Sequence, residues 1–309
     1  MAKRKGQNVD RQVARDISYA YSAETRGGRA VIRALENATG RYRMIRRAAG
    51  YHEDIAGGAN FWQVMVERYG LSLDVMAGDL SSIPVDGPLV VVANHPYGIL
   101  DGLMMGHLLD KVRGGDFRIL ANHVFRKAED LNRVVLPISF DETREAIAEN
   151  IQTRREALRY LNGGGAIGVF PGGTVSTSAR PFSHPLDPIW RSFTAKLIVK
   201  TKATVVPVFF EGTNSRTFQV ASHLHTTLRM GLLINEFGRR VDSSVRIVVG
   251  SPISASEMST YQHNQKALMD FLRTRTYALS PNGVESGAYG FEFEDKHKRA
   301  GADGGRDLR

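Results

Sequence analysis

Apolar and polar positions divide the chain into two regimes. Up to about residue 70 the apolar residues recur at helical intervals, which predicts helices through about 16–48 and from Phe61 to Tyr69, where Trp62, Met65, Val66 and Tyr69 share one face. Beyond that point short continuous apolar runs alternate with helical stretches. The runs predict strands at 73–77, 89–93, 117–121, 134–138, 166–170, 204–210 and 245–249. Between and after them the spacing predicts helices at 100–112, 142–161, near 187–201, near 222–236 and at 256–277. Strands separated by crossover helices imply an α/β fold, with a mainly parallel central sheet and helices on both faces. Two stretches are open to two readings each. Trp62 suits a lipid interface or a core, and Pro207 suits an edge strand or one interrupted to shape a groove.

The polar start (1–15) and the glycine- and charge-rich tail from His297 lack the apolar residues that would fix a conformation. This divides the chain into a basic helical N-terminal segment (1–55), a catalytic domain (56–290) and a disordered tail (291–309). No internal repeat is visible.

Composition narrows the chemistry. The 309 residues are 42% hydrophobic and contain no cysteine, so a disulfide framework, a thiolate metal site and a cysteine nucleophile are all ruled out. No run reaches the roughly 18 to 20 apolar residues that span a bilayer, and the first residues have no apolar stretch of the secretory type. Charge is uneven. Residues 1–50 hold twelve Lys or Arg against four Asp or Glu, a net of +8 in a chain whose total is +9. Nucleic acid, anionic lipid, an acidic carrier protein and plain solubility are all compatible with such a segment. From Arg29 to Gly50 the apolar Val31, Ile32, Leu35, Met44 and Ile45 lie among arginines. That pattern fits an interfacial amphipathic helix interrupted near Gly40, or an ordinary packed helix with a solvated basic face.

Candidate chemistry concentrates in VVVANHPYGILDG, residues 90–102. The valine-rich run ends at Ala93, Pro96 and Gly98 force a turn, and a helix follows, so His95 and Asp101 straddle a strand-turn-helix junction. A carboxylate against one ring nitrogen would fix the imidazole tautomer and raise the basicity of the other nitrogen, which suits a general base. The same two residues could instead only cap the turn and the helix.

Two further strand exits carry suggestive residues. In AIGVFPGGTVSTS (166–178), Gly172 and Gly173 offer bare backbone, Thr174 and Ser176 offer hydroxyls, and Arg180 lies close by, a set that suits an anion-binding nest. In ATVVPVFFEG (203–212), Glu211 falls at the carboxyl end of its strand, on the same side of a parallel sheet as His95 and Gly173. Other motifs are absent or misplaced. Gly163, Gly165 and Gly168 have dinucleotide-type spacing but follow a helix and precede a strand, the reverse of the Rossmann order. Neither a phosphate-binding GxxxxGK[ST] loop nor a GxSxG nucleophile elbow occurs, and no histidine pair has zinc-peptidase spacing.

Taken together, NHPYGILD, FPGGTVS and VVPVFFEG resemble, in order and rough spacing, the first, third and fourth motif blocks of the glycerolipid (lysophosphatidate-type) acyltransferase family. The likeness covers roughly residues 85–250. It implies a catalytic pair of His95 and Asp101, with Gly172, Gly173 and Thr174 on the acceptor side; Gly98, Ser176, Arg180 and Glu211, at the same strand exits, are the further substrate-side candidates. The chain departs from the family in three places. Five residues rather than four separate His95 from Asp101, as in the hemolysin-like subgroup that includes ornithine-lipid acyltransferases. Gly172 and Val175 stand where the third block usually has Glu and Arg. In the second block the usual basic residue is replaced by Asn122, and Arg126 and Lys127 are left to supply the charge.

The resemblance implies an O-acyltransferase of lipid biosynthesis. It would move a fatty acyl group from acyl-CoA or acyl carrier protein to a hydroxyl of a lysolipid, of the lyso-ornithine-lipid or lysophosphatidate type. It implies no cofactor, no metal and no nucleic-acid partner, and a cytoplasmic enzyme peripheral on the inner face of the cell membrane. The oxyanion donors would be backbone N–H groups of the Pro96 to Gly98 turn or the Gly172-Gly173 turn. A basic nucleic-acid-binding protein and a non-catalytic lipid-binding scaffold are the alternatives.

Overall fold

The computed structural model describes residues 17–23, 25–122, 131–139, 143–284 and 287–293. The polar start, the tail from His297, and both Arg126 and Lys127 lie outside the described residues. A seven-stranded sheet organises the rest. Its strands are β1 (Ser72–Ala77), β2 (Leu89–Ala93), β3 (Phe117–Asn122), β4 (Val135–Ile138), β5 (Ala166–Val169), β8 (Thr204–Phe210) and β9 (Ser244–Val249), and a small hairpin adds β6 (Thr177–Ser178) and β7 (Pro185–Leu186). Across the sheet the order is β1-β9-β8-β2-β5-β3-β4. All pairs are parallel except β8 with β9, so β9 and β1 run against the other five.

Why β2 sits near the centre follows from its sequence. All five of its residues are buried, and the two-residue period of a strand sends them alternately to opposite sides. Leu89, Val91 and Ala93 join one core with α1 (Arg26–Ala38), α2 (Arg41–Ala48), α3 (Tyr51–Ala56), α4 (Phe61–Arg68), α5 (Ile99–Arg113), α8 (Arg216–Leu224) and α9 (Thr226–Gly238). Val90 and Val92 join the other, with α6 (Arg144–Asn162), α7 (Ser192–Thr201) and α10 (Gln265–Tyr277). Helices therefore cover both faces.

Trp62 serves the core. It is 7% exposed, and a Cβ on Gly106 of α5 would fall 2.1 Å from its ring, so only glycine lets α4 and α5 approach this closely. Pro207 lies in an interior strand that pairs continuously with β2. On the side of β9, between Val205, which bonds Ile253, and Val208, opposite Val249, Pro207 has no register partner, and it takes part through its carbonyl alone, which accepts from the Gly250 N–H at 2.8 Å.

Several boundaries differ from the spacing. Helix structure over 16–48 resolves into a 3₁₀ turn at Ala20–Ser22, α1 and α2, and α3 adds a helix beyond it. α1 and α2 bury Ile32 and Met44, and Leu35 packs under Gly231 of α9, so most of the apolar stripe faces protein; Val31, Arg26, Arg29, Arg43 and Arg46 are exposed, whereas Arg41 is buried and donates to the Ile17 carbonyl at 2.7 Å. One helix near 222–236 is two, because His225 takes an extended conformation and its ring caps α9. The helix near 187–201 starts only at Ser192, since Asp187 and Pro188 leave the hairpin in irregular backbone. The helix over 256–277 starts at Gln265, with Asn264 accepting from the Ala267 N–H.

The β2 exit is sealed by a side chain acting as backbone. Asn94 donates from Nδ2 to the Phe210 carbonyl at 2.9 Å and accepts from the Phe210 N–H at 2.7 Å, continuing the β2–β8 ladder one step. Asn94→Ala leaves both buried groups unpaired, and chemical denaturation is expected to show a loss of roughly 2 to 4 kcal/mol.

Candidate active site

In a sheet of order β8-β2-β5, the carboxyl ends of three neighbouring parallel strands deliver three loops to one edge. His95 follows β2, Pro171 to Ser176 follow β5, and Glu211 to Asn214 follow β8. His95 Nδ1 lies 3.0 Å from Asp101 Oδ2, with the ring N–H off the line of that contact. Catalytic pairs commonly straighten only around substrate. Nδ1 is closed to solvent while the side chain keeps 17% of its surface, so the ring opens on the edge away from Asp101, which carries Nε2. Phe170 stacks on the ring at 4.2 Å and holds its plane.

Asp101 is fully buried at the third position of α5, and Oδ2 also accepts from the N–H groups of Tyr97 (2.7 Å) and Gly98 (2.9 Å). Burial pushes its carboxyl above the usual carboxylate range, and His95 and those two N–H groups oppose the shift. Gly98 enables the turn: its φ is +91°, and a Cβ there would meet Val175 at 3.0 Å and Leu233 at 3.3 Å. The Tyr97 hydroxyl donates to the Glu211 carbonyl at 2.6 Å, tying the β2 and β8 exits together.

A second buried carboxylate, which the sequence did not reveal, holds the base from behind. Asp187 Oδ1 accepts from the His95 backbone N–H at 3.1 Å and from the Ser176 hydroxyl, and Oδ2 accepts from Trp190 Nε1 at 2.9 Å. The Ser176 N–H donates in turn to the His95 carbonyl at 2.7 Å. Asp187 is thus the joint between the β2 and β5 loops.

Arg229 on α9 was also missed. It is 4% exposed and donates to Thr174 Oγ1, the Val175 carbonyl, Thr177 Oγ1 and Ser222 Oγ. Its one visible signal was a lone cation in the largely apolar run TTLRMGLLINEF. Asp187 had no comparable signal, since it sits 92 residues from His95 behind a hairpin.

The structure separates the remaining sequence candidates. Gly172 packs against Asp187, where a Cβ would be 3.2 Å from the aspartate Cβ. Gly173 has φ +70°, but its N–H donates to the Phe170 carbonyl at 3.0 Å, so the pair does not present the consecutive free N–H groups of a nest. The Pro96 to Gly98 turn is likewise no oxyanion hole, because proline has no N–H and the other two are engaged by Asp101. The Ser176 hydroxyl is committed to Asp187, while Thr174 is half-buried with its oxygen accepting from Arg229. Arg180 is exposed on the β6–β7 turn, away from these contacts. The Glu211 carboxylate pairs with Arg246 across β8 and β9 at 3.0 Å.

A half-buried base, its buried carboxylate and glycine-bearing strand exits define a site for moving a proton during group transfer. A family model described as Acyltransferase matches residues 59–287, and the chain belongs to that family, so the protein is an acyltransferase. It is similar to a lyso-glycine lipid O-acyltransferase from Phocaeicola vulgatus, 25% identical over 206 residues, covering 63% of this chain and 69% of the relative. Another protein of that name, from Bacteroides thetaiotaomicron, is 23% identical over 207 residues, covering 63% of this chain and 71% of the relative. Among solved structures, the 1-acyl-sn-glycerophosphate (LPA) acyltransferase PlsC from Thermotoga maritima aligns with 92% of this chain and 100% of its own, at 16% identity and a TM-score of 0.44. At that distance the fold rests on the strand order above.

Asp101→Asn keeps an acceptor for the Tyr97 and Gly98 N–H groups and removes the charge facing His95. Acyl transfer is expected to fall about 10²- to 10⁴-fold. Because the folded state raises the Asp101 pKa, wild type loses stability as pH rises from the unfolded to the folded pKa, a loss the amide cannot have. Melting curves across pH should therefore show the variant at least as stable as wild type above that range, with the gap closing in acid.

Proposed function

We propose that the protein transfers a fatty acyl group from a thioester donor, acyl-CoA or acyl carrier protein, to the free hydroxyl of a lysolipid. The observation that carries this reading is the His95–Asp101 pair, open at Nε2 beside the β5 exit, in a chain of the acyltransferase family. His95 removes the hydroxyl proton as the acceptor oxygen attacks the thioester carbonyl, and Asp101 stabilises the imidazolium that forms. The thiol leaves with that proton. The Gly172 N–H, which has no acceptor among the described residues, is the donor we assign to the developing oxyanion. The relatives' names point to a lysolipid acceptor such as lyso-glycine lipid, and lyso-ornithine lipid and lysophosphatidate share its free hydroxyl.

His95→Ala, folded by circular dichroism, is expected to lose at least about 10²-fold in acyl transfer to a panel of these lysolipids. Undiminished transfer to each of them would remove His95 from the chemistry.

We place the enzyme at the inner membrane surface, without a spanning segment: no helix among the described residues is long and apolar enough to cross a membrane. Support comes from two exposed apolar residues on one stretch of surface. Phe182, 85% exposed, tips the β6–β7 hairpin beside exposed Arg180, and Leu224, 70% exposed, ends α8. The hairpin and α8 meet where His223 Nε2 lies 2.9 Å from the Ser178 carbonyl. The start of α1 adjoins the start of α9, since a Cβ on Gly28 would lie 3.8 Å from Thr227 Oγ1, and this adds exposed Arg26 and Arg29. Apolar tips with a basic surround suit an anionic bilayer. Changing both Phe182 and Leu224 to serine is expected to weaken binding to anionic vesicles roughly tenfold or more in sedimentation. Wild-type vesicle binding by that variant would refute the placement.

A further inference from the structure

After α10 the chain turns back, and residues 287–293 bind the β6–β7 hairpin as a strap. The Gly290 N–H donates to the Asp187 carbonyl at 2.9 Å and the Phe291 N–H to the Thr177 carbonyl at 3.0 Å. A Cβ on Gly290 would fall 1.8 Å from the Leu186 carbonyl oxygen, so only glycine lets the strap lie this close. Arg273 of α10 fastens it. Buried itself, it donates from Nη2 to the Asp187 carbonyl at 3.2 Å and to the Ala288 carbonyl at 2.8 Å, and its Cζ lies 4.5 Å from the ring centroid of Tyr277 and 4.3 Å from that of Tyr289.

One residue beyond Phe291, the Glu292 carboxylate takes both arms of the Arg191 guanidinium in two bonds of 2.9 Å, with 12% and 14% of the two side chains exposed. Against a well-packed apolar pair, an ion pair at this depth adds little stability. What its fork geometry adds is direction.

Both attachments lead to the base. Asp187, whose carbonyl the strap holds, accepts the His95 backbone N–H with its carboxylate. Arg191, whose guanidinium the strap holds, donates its backbone N–H to the Pro171 carbonyl at 2.9 Å, and Pro171 follows Phe170, whose ring stacks on the imidazole. The strap thus reaches the backbone of His95 by one route and its ring by the other.

We propose that Gly290 and Glu292 are positioning residues for acyl transfer. Acting through Asp187 and Arg191, the strap holds His95 at the angle from which Nε2 meets the acceptor hydroxyl. The inference rests on the reading of His95 as the base, and it adds the segment that aims it.

The test uses the full chain, with lyso-glycine lipid and acyl-CoA as substrates. Glu292→Gln removes the charge on Arg191, and Gly290→Ala pushes the strap off the Leu186 carbonyl. Each is expected to lower kcat about ten- to a hundredfold, with KM for both substrates close to wild type. In the His95→Ala background Glu292→Gln should cost nothing further, because the strap works through the residue already removed. If Gly290→Ala does not fold, Glu292→Gln decides alone. An unchanged kcat, a loss carried by KM, or a loss repeated in full without His95 overturns the proposal. Hydrogen exchange measured on the peptides that carry His95 and Asp187 separates the two levels. Absent turnover by wild type, or full activity of His95→Ala, would sink the reading of His95 as the base. Faster exchange in those peptides of Glu292→Gln, with β3 and β4 unchanged, would still support the strap's hold on His95, and exchange equal to wild type would refute it.

Discussion

One oxygen atom, Asp101 Oδ2, sets the geometry on which the site depends. It ends the turn by accepting from Tyr97 and Gly98, starts α5 by satisfying N–H groups that a helix start leaves unbonded, and faces His95 Nδ1. These three tasks are mutually dependent. A helix start supplies N–H groups and a favourable dipole, and that is what makes a carboxylate with no solvent exposure tolerable. The carboxylate in turn aims the imidazole without needing water. Structural capping and base orientation, which read as competing roles in the sequence, are therefore met by the same atom.

Asp101 fixes the ring, and Asp187 fixes the backbone that carries it. By binding the His95 N–H, the Ser176 hydroxyl and the Trp190 indole, Asp187 makes the β2 and β5 exits move as one body. The β8 exit joins through Tyr97 and Gly212. A Cβ on Gly212 would fall 1.8 Å from the Tyr97 oxygen, and its φ is +106°, so glycine is required for the Tyr97–Glu211 contact. Directional bonds thus hold the three loops in addition to the apolar contacts of Phe170 with His95 and Phe210, which suits a site that must keep angles as well as distances.

Much of this was legible because it is local. A continuous valine run, a proline and a glycine are enough to place His95 at a strand exit and Asp101 in the first turn of a helix. What was illegible is non-local. Asp187 reaches His95 only because the β6–β7 hairpin turns the chain back, and neither hairpin strand exceeds two residues, too short for alternation to show. The break between α8 and α9 carries neither glycine nor proline. The basic helices near the N-terminus were ambiguous for a related reason: an amphipathic stripe shows that one face will be covered, not whether lipid or protein covers it. Here α9 and the core cover it.

The same bonds bear on whether an acyl group would pass through the protein. A covalent route needs a hydroxyl that His95 can deprotonate, and Ser176 is the hydroxyl residue tied most directly to the His95 backbone. Its proton already goes to Asp187, and its side chain is 2% exposed, so attack on a thioester would require breaking a buried bond to a carboxylate. Thr174 is closer to solvent, but its oxygen accepts from a guanidinium, which draws electron density from the atom that would have to attack. Among the described residues, therefore, neither hydroxyl on the β5 exit is a ready nucleophile for His95 to deprotonate. Direct attack by a bound hydroxyl is the chemistry that leaves every observed hydrogen bond in place.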